Sequence, residues 1–156
     1  ASLPKDERPK KPRITAAYAG NRMITNNLLG LYLTGKKTAG SSLVEDFNTA
    51  GDPLPKAGDY WIILGSAGRP RCIVKTIKTV RNKFNAVSAH IAKAEGEGDL
   101  SLDHWKKSHA EFWGPNLKKW GLASINDATV ITEFFEVVYP ILLKPQPPLA
   151  PKSPKP

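Results

Sequence analysis

Apolar residues recur every three or four positions in several stretches of the sequence, the spacing that places them on one face of an α-helix. The first stretch covers 21–34 and stops before Gly35, a residue that commonly ends a helix. The second begins at Ser42, because Ser42-Leu43-Val44-Glu45 matches a capping box, and it ends at Gly51. The pattern therefore predicts two helices in the first third of the chain, with a loop of small and basic residues between them.

Two more helices are predicted further along. One covers 85–95 and ends at Gly96. The other is capped by Ser101 and runs to Phe112, with its apolar and aromatic residues on one face. The Gly-Pro pair that follows ends it, because proline cannot continue a helix.

The remaining apolar runs have the composition and alternation of β-strands. Residues 60–64 and 71–80 flank a turn at 66–69, so they predict a hairpin, and 128–139 predicts a third strand. No apolar run approaches the length of a membrane-spanning helix. The order of elements predicts an α+β fold, a small β-barrel or curved sheet flanked by helices.

The charge is unevenly distributed along the 156 residues, whose formal net charge is +9. Residues 1–13 and 144–156 are rich in proline and lysine, and each segment carries +3, as does the body at 14–143. We expect two disordered tails around one folded domain. Basic tails either add salt-sensitive attraction to a polyanion or only keep the protein in solution.

The single cysteine, Cys72, lies in an apolar run and is expected to be a buried structural thiol. A lone cysteine cannot form an internal disulfide, which fits a reducing compartment, and the basic N-terminal segment lacks the apolar core of a secretory signal. These features predict a cytoplasmic protein. His104 and His109 are five residues apart, so they do not share a helix face as metal ligands would, and we expect no metal and no cofactor.

Two segments carry candidate chemistry. The loop after the first helix contains Lys37 and several hydroxyl residues, where unpaired backbone N–H groups suit a phosphate or a developing oxyanion. The second segment places Glu95, Glu97 and Asp99 on alternate positions, separated by glycines. Crowded carboxylates can raise the pKa of one of them toward neutrality, as acid–base catalysis requires. Alternatively the lysine is solvated and the acids only cap or balance the neighbouring helix.

The combination of these segments resembles the ASCH domain family, in the PUA-like superfamily. The resemblance covers about residues 22–139. It is carried by Gly35-Lys36-Lys37-Thr38, Pro55-Lys56-Ala57-Gly58-Asp59, Cys72-Ile73-Val74-Lys75-Thr76, the glycine-spaced acids with Ser101, Leu102, Trp105 and His109, and Phe134-Phe135-Glu136-Val137-Val138-Tyr139. The last third is the most specific part.

The resemblance implies a PUA-like barrel with a cleft between the lysine loop and the acidic segment, and RNA, a nucleotide or a nucleoside as ligand. Some members of the wider family cleave single-stranded RNA. A related bacterial group removes the acetyl group from N4-acetylcytidine with a lysine, a threonine three residues later and a glutamate. Here the lysine is Lys37, the glutamate is Glu97 or Glu95, and the threonine position is Gly40. Thr38, Ser41 or Ser42 would have to supply the missing hydroxyl.

Three functional hypotheses follow. The first is an RNA- or nucleotide-directed ribonuclease in which Lys37 stabilises negative charge, Glu97 acts as acid or base, and Ser41 or Thr38 orients the substrate. The second is a non-catalytic RNA-binding module, and the third is an amidohydrolase, which Gly40 disfavours. The predicted nucleic-acid-binding residues are Thr38, Ser42, Arg71 and Trp105. Trp105 alternatively packs in the core, and Arg71 alternatively faces solvent. We expect a monomer or a homodimer without a membrane partner.

Overall fold

The structure, a computed structural model, describes residues 11–140. It contains five strands and four helices, with short 3₁₀ turns between them. The strands are β1 (Ile14–Tyr18), β2 (Ala39–Leu43), β3 (Tyr60–Leu64), β4 (Pro70–Lys83) and β5 (Thr129–Tyr139). The helices are α1 (Thr25–Leu33), α2 (Val44–Ala50), α3 (Ala89–Glu95) and α4 (Leu102–Trp113). The predicted tails fall almost wholly outside the described residues.

The strands form one curled sheet in the order β1-β3-β4-β5-β2, a half-barrel with the helices packed around it. β1 pairs with β3 in parallel, and every other pairing is antiparallel. The long β4–β5 pair changes register twice, between Ile73 and Val74 and between Thr76 and Lys78. Such irregularities bend a strand and increase its twist, which helps the sheet to curl. The predicted α+β class, curved sheet and β3–β4 hairpin are therefore confirmed.

The apolar residues form two clusters inside this half-barrel. One joins α3, α4 and the edge of the sheet, and its largest members are Phe84, Trp105 and Trp113. The other lies between α1 and the centre of the sheet and includes Tyr32 and Phe135, whose rings stack with centroids 5.3 Å apart. Cys72 belongs to the second cluster and is fully buried, which raises the pKa of its thiol to about 11.

Two strands were missing from the sequence prediction. β1 is an edge strand of only five residues, preceded by Arg13, whose backbone N–H donates to the Asp59 carboxylate at 3.0 Å. β2 has the sequence Ala-Gly-Ser-Ser-Leu and was predicted to be loop and helix start. Apart from Leu43 its residues are small, and the two serines are polar, so it lacks the apolar alternation of an ordinary strand. It becomes a strand because it pairs with the strongly apolar β5.

The predicted capping box at Ser42 is wrong. Ser42 lies inside β2, and helix α2 begins at Val44 after Leu43, with no side-chain cap. The Glu45 carboxylate accepts instead from the backbone N–H of Thr129, at 2.9 and 3.1 Å. Pairing of the whole β2 strand with β5 therefore overrides the local capping preference.

Other boundaries shift by a few residues. α1 begins at Thr25 rather than at 21, because Asn21 uses its side chain in a turn that precedes the helix. α3 begins at Ala89 after a 3₁₀ turn, and the Ser88 hydroxyl caps it. Among residues 11–140, no helix is long and apolar enough to cross a membrane. The same residues contain no cluster of three or more side chains that would hold a metal ion.

Candidate functional site

The glycine-spaced acidic segment crosses directly over the lysine loop. α3 ends at Glu95, and Gly96 follows with a φ of 71°, the left-handed conformation that glycine adopts most easily. A Cβ on Gly96 would overlap the carbonyl oxygen of Lys36. The backbone N–H of Thr38 donates to the carbonyl of Ala94 at 2.8 Å, on the same side of the crossing. Glycine is therefore required here so that two segments 60 residues apart can lie backbone to backbone.

The three acids of this segment point to different places. Glu95 is almost completely buried, with 1% of its surface exposed. Glu97 is partly buried, with 32% of its side chain exposed. Asp99 is exposed and accepts a hydrogen bond from the Ser101 backbone N–H at 2.9 Å, just before α4. Because the helix ends at Glu95 and the backbone turns at Gly96 and Gly98, both with positive φ, the three acids point apart and do not form one crowded carboxylate cluster.

Lys37 is the ammonium group of the site. It is 5% exposed, and its Nζ lies 3.0 Å from Oε2 of Glu97. Nζ also donates to the backbone carbonyl of Glu95 at 3.4 Å and lies 5.8 Å from the centre of the Tyr32 ring. These contacts compensate a buried cation, which would otherwise be costly to remove from water. The predicted Lys37–Glu97 partners are therefore in direct contact.

A contact between a histidine and a carboxylate lies beside this ion pair. Nε2 of His109 is 3.1 Å from Oε2 of Glu95, and Nδ1 of His109 is 2.8 Å from the Trp105 carbonyl oxygen. Because a carbonyl can only accept, Nδ1 carries a proton, and Nε2 can donate to Glu95 only if His109 is doubly protonated. Burial by itself raises the pKa of Glu95, but His109, the Lys37 charge and nearby Ser41 outweigh it and hold that pKa below its usual range.

The Lys37–Glu97 ion pair and the His109–Glu95 contact both border a cavity of about 340 Å³. Its walls are largely apolar and aromatic, with a small number of polar groups at fixed positions, as is usual for small-molecule sites. The aromatic residues of the wall are Tyr18, Tyr32, Trp61, Phe112, Trp113 and Phe135. The polar residues are Lys37, Ser41, Ser42, Glu95, Glu97, Ser108, His109 and Glu133.

Glu133 is a further carboxylate of the cavity wall. It is 7% exposed, and its Oε2 accepts from the Trp61 indole N–H at 2.7 Å and the Thr76 hydroxyl at 2.6 Å. Burial raises the pKa of Glu133, the charge of Asp59 raises it further, and the two donors only partly oppose this. The cavity therefore holds two buried carboxylates, Glu95 and Glu133, whose pKa values are shifted in opposite directions.

Tyr32 also borders this cavity. Burial raises the pKa of its phenol well above the usual range, and the nearby charges of Glu97, Glu95 and Glu133 act in the same direction. The phenol therefore keeps its proton at any physiological pH and can donate a hydrogen bond.

The structure brings together four of the seven predicted site residues. Lys37, Glu97, Ser41 and Ser42 all line the cavity, and the Ser41 hydroxyl lies 2.9 Å from that of Thr132. The other three lie elsewhere. Thr38 is exposed and donates to the carbonyl of Ala94, and Arg71 is exposed at the start of β4. Trp105 is 3% exposed and packs against Phe84, His109 and Trp113. It therefore lies in the core, which is the alternative to nucleic-acid binding that the sequence also predicts.

Sequence reasoning did not find Glu133 or Tyr32. Tyr32 looked like one of several apolar positions of the first helix. Glu133 was hidden in a strand, although it stands as a lone acid within the run Val-Ile-Thr-Glu-Phe-Phe. An acid at the centre of so apolar a strand was the available signal, because a buried carboxylate needs dedicated partners.

The sequence matches the family model for the ASCH domain over residues 15–139. An ASCH domain of known structure from Lactobacillus crispatus JV V101 is 28% identical, with a TM-score of 0.73, and the match covers 80% of this chain and 79% of that one. A protein of known structure from Enterococcus faecalis V583 is 32% identical, with a TM-score of 0.70, covering 85% and 80%. No protein of curated function matches the sequence.

The family model covers most of the chain, and the curled five-stranded sheet with four helices is shared with ASCH domains of known structure. The PUA-like fold implied by the sequence resemblance is thereby confirmed. The chain belongs to the ASCH domain family.

Proposed function

We propose that this protein is a hydrolase that takes a single base, from a nucleoside or from an unpaired nucleotide of RNA, into the cavity and acts on a neutral group attached to it. The observation that carries the proposal is the charge arrangement of the cavity wall. Among the described residues of the wall, Lys37 is already paired with the Glu97 carboxylate, and His109 lies against the Glu95 carboxylate.

This arrangement favours an uncharged ligand. A phosphate inside the cavity would find no cation without a carboxylate partner among the described residues of the wall, and it would approach Glu133 as well. Repulsion between like charges is strong where water is excluded. An uncharged heteroaromatic ring has no such cost, and it can pack against Trp61 and Phe135. The volume, about 340 Å³, is at the small end of the range for ligand sites, as a single nucleoside requires.

The Lys37–Glu97 pair supports hydrolysis of an amide on the base. In this mechanism Glu97 accepts a proton from water as the water oxygen attacks the amide carbonyl carbon. The Lys37 ammonium stabilises the oxyanion that forms. The C–N bond then breaks, and the proton held by Glu97 passes to the leaving amine, so the products are a carboxylic acid and the free amino base. Water is the nucleophile, so the absence of a hydroxyl at Gly40 is compatible with this route, and Ser41 orients the substrate.

A ribonuclease is the second candidate, and the net charge of +9 favours it. A positively charged protein attracts RNA at low salt, and RNA carries its own nucleophile in the 2′-hydroxyl. In this version the base enters the cavity and the phosphodiester stays at its mouth, where the partly exposed Glu97 removes the 2′-hydroxyl proton.

The test is one series of incubations. Wild type, Lys37→Ala and Glu97→Gln are each mixed with N4-acetylcytidine and, separately, with end-labelled single-stranded RNA. Lys36→Ala and Asp99→Asn serve as matched controls, since each is an exposed neighbour of the residue it controls. We expect cytidine and acetate from wild type and both controls, and a loss of at least about 100-fold in the two site variants.

Other outcomes assign other functions. RNA fragments without deacetylation, abolished by the same two variants, would establish the ribonuclease. If no product forms from either substrate while wild type still binds RNA, the protein is a non-catalytic binding module, and the hydrolase proposal fails.

A further inference from the structure

We propose that Glu133 determines which base the cavity accepts, by receiving a hydrogen bond from an amino group on the edge of the base. The inference rests on the proposed function and adds the class of ligand to it: amino-bearing bases, represented by cytosine and adenine. Bases with a carbonyl at the same position, represented by uracil and hypoxanthine, are rejected.

The contacts of Glu133 leave one oxygen available. Trp61 and Thr76 both donate to Oε2, at 2.7 and 2.6 Å. Within residues 11–140, Oε1 makes no hydrogen bond, yet it is not sealed from solvent as Oε1 of Glu95 is. Because Glu133 itself lines the cavity, this free oxygen is the acceptor available to a ligand. A carboxylate oxygen with unused lone pairs in so buried a place calls for a donor.

The position of this oxygen is rigid. Glu133 lies in β5, and its two donors come from β3 and β4, so three adjacent strands hold one side chain. On the other side, β5 pairs with β2, and Glu133 is opposite Gly40. Gly40 has no side chain to cover the cavity beside the carboxylate. A fixed acceptor that faces the cavity discriminates between ligands by hydrogen bonding. The carboxylate cannot rotate to accommodate a ligand that offers it no donor.

The chemistry of the acceptor determines the choice of base. An ionised carboxylate accepts hydrogen bonds and cannot donate them, so it pairs with an amino group and repels a carbonyl oxygen. At this edge cytidine carries an amino group where uridine carries a carbonyl. Adenosine and inosine differ in the same way. A site that leaves a buried polar group unpaired in one complex discriminates strongly against that ligand.

The experiment measures the affinities of cytidine, uridine, adenosine and inosine by calorimetry at pH 8. In Glu133→Gln, the amide carbonyl can accept from Trp61 and Thr76, which places the amide NH₂ at the free position. The acceptor is thereby converted into a donor without a change of shape. The matched control is Glu136→Gln, the same substitution at an exposed position of the same strand.

For wild type and the Glu136→Gln control we expect the amino-bearing member of each pair to bind about 10- to 100-fold more tightly. In Glu133→Gln we expect this preference to vanish or reverse, mainly through tighter binding of uridine and inosine. An unchanged preference in Glu133→Gln overturns the assignment of Glu133 while leaving the proposed function intact. Failure of wild type to bind any of the four nucleosides overturns both.

A second variant covers the case in which Glu133→Gln does not fold. Trp61→Phe keeps an aromatic wall but removes one of the two donors that fix Oε2. We expect it to bind nucleosides with a reduced preference for the amino-bearing member of each pair. A preference equal to that of wild type would contradict the role of Glu133.

Discussion

Two buried carboxylates of the same cavity have opposite electrostatic surroundings. Glu95 faces His109 and Lys37, so its ionised form is favoured and its pKa is lowered. Glu133 has only neutral donors, Trp61 and Thr76, so burial dominates and its pKa is raised. Pairs of groups whose pKa values are driven apart in this way are typical of acid–base sites.

The same isosteric substitution should therefore change stability in opposite directions. Glu95 has a lowered pKa, so its ionised form stabilises the fold above the pKa of the unfolded chain, and that stability is lost as the pH falls through the folded-state pKa. Glu133 has a raised pKa, so stability is lost as the pH rises from the unfolded-state pKa, about 4.3, to the raised value. At pH 8 we expect Glu95→Gln to lower the free energy of unfolding by about 2 kcal/mol and Glu133→Gln to increase it.

The measurement is urea unfolding of both variants at pH 8 and at pH 4. The stability lost in Glu95→Gln should become smaller at acid pH, because the unfolded wild-type chain then takes up a proton at Glu95 more readily than the folded protein does. Glu136→Gln, at an exposed position, should change little at either pH. A decrease of equal size for Glu95→Gln and Glu133→Gln at pH 8 would show that the hydrogen-bond partners outweigh burial at both carboxylates, and the opposite surroundings would be refuted.

At the scale of elements, the site depends on one crossing, between the loop that precedes β2 and the segment that follows α3. Neither segment has a strong secondary-structure preference of its own. They are fixed by backbone contact at Gly96 and by the hydrogen bond from Thr38 to Ala94. The ion pair between Lys37 and Glu97 spans the same crossing.

Replacing Gly96 by alanine should disrupt the site by pushing apart the two backbone segments at the crossing. The new Cβ would overlap the Lys36 carbonyl, and the residue would also have a φ of 71°. Gly121→Ala is the matched control, because Gly121 has a φ of 72° and no atom within 4 Å of an added Cβ. We expect Gly121→Ala to cost about 1 kcal/mol of unfolding free energy through its backbone conformation alone. Gly96→Ala should cost at least about twice as much and should abolish nucleoside binding.

Thermal unfolding and calorimetry measure the two effects. Equal losses of stability in the two variants, with nucleoside binding retained in Gly96→Ala, would show that the backbone at the crossing can move to accommodate a Cβ. The close approach at Gly96 would then have no part in positioning Lys37 beside Glu97.

At the scale of the whole molecule, the positive charge and the cavity provide two separable contributions to binding. The net charge of +9 attracts the RNA backbone, and this contribution is sensitive to salt and independent of sequence. The cavity is largely apolar and a nucleoside base carries no charge, so the contact between them should not depend on salt.

We therefore expect the affinity for single-stranded RNA to fall about 10-fold or more between 50 and 200 mM salt. The affinity for a nucleoside should be unchanged over the same range. Fluorescence anisotropy with labelled RNA and calorimetry with the nucleoside provide the two curves. Parallel losses for both ligands would mean that the nucleoside also binds through surface charge, and the cavity would lose its role as the base site.

The elements with strong local signals could be predicted from the sequence, as could Lys37 and Glu97, the two residues of the ion pair. The apolar strands β3, β4 and β5, the capped helix α4 and the glycine-spaced acids were all recognisable, because their periodicity, caps and turns are local properties. β1, β2 and the true start of α2 were not recognisable. Their residues, such as Ser42, adopt a conformation set by pairing with strands far away in the chain.

The contacts of the candidate residues could be found only from the tertiary structure. Only the fold showed that Lys37 contacts Glu97, that His109 contacts Glu95, and that Trp105 lies in the core. Glu133 could be recognised as a site residue only in the folded structure, where Trp61 of β3 and Thr76 of β4 donate hydrogen bonds to it. The physical reason is that burial and charge pairing depend on contacts between residues distant in sequence, and those contacts exist only once the sheet has curled around the cavity.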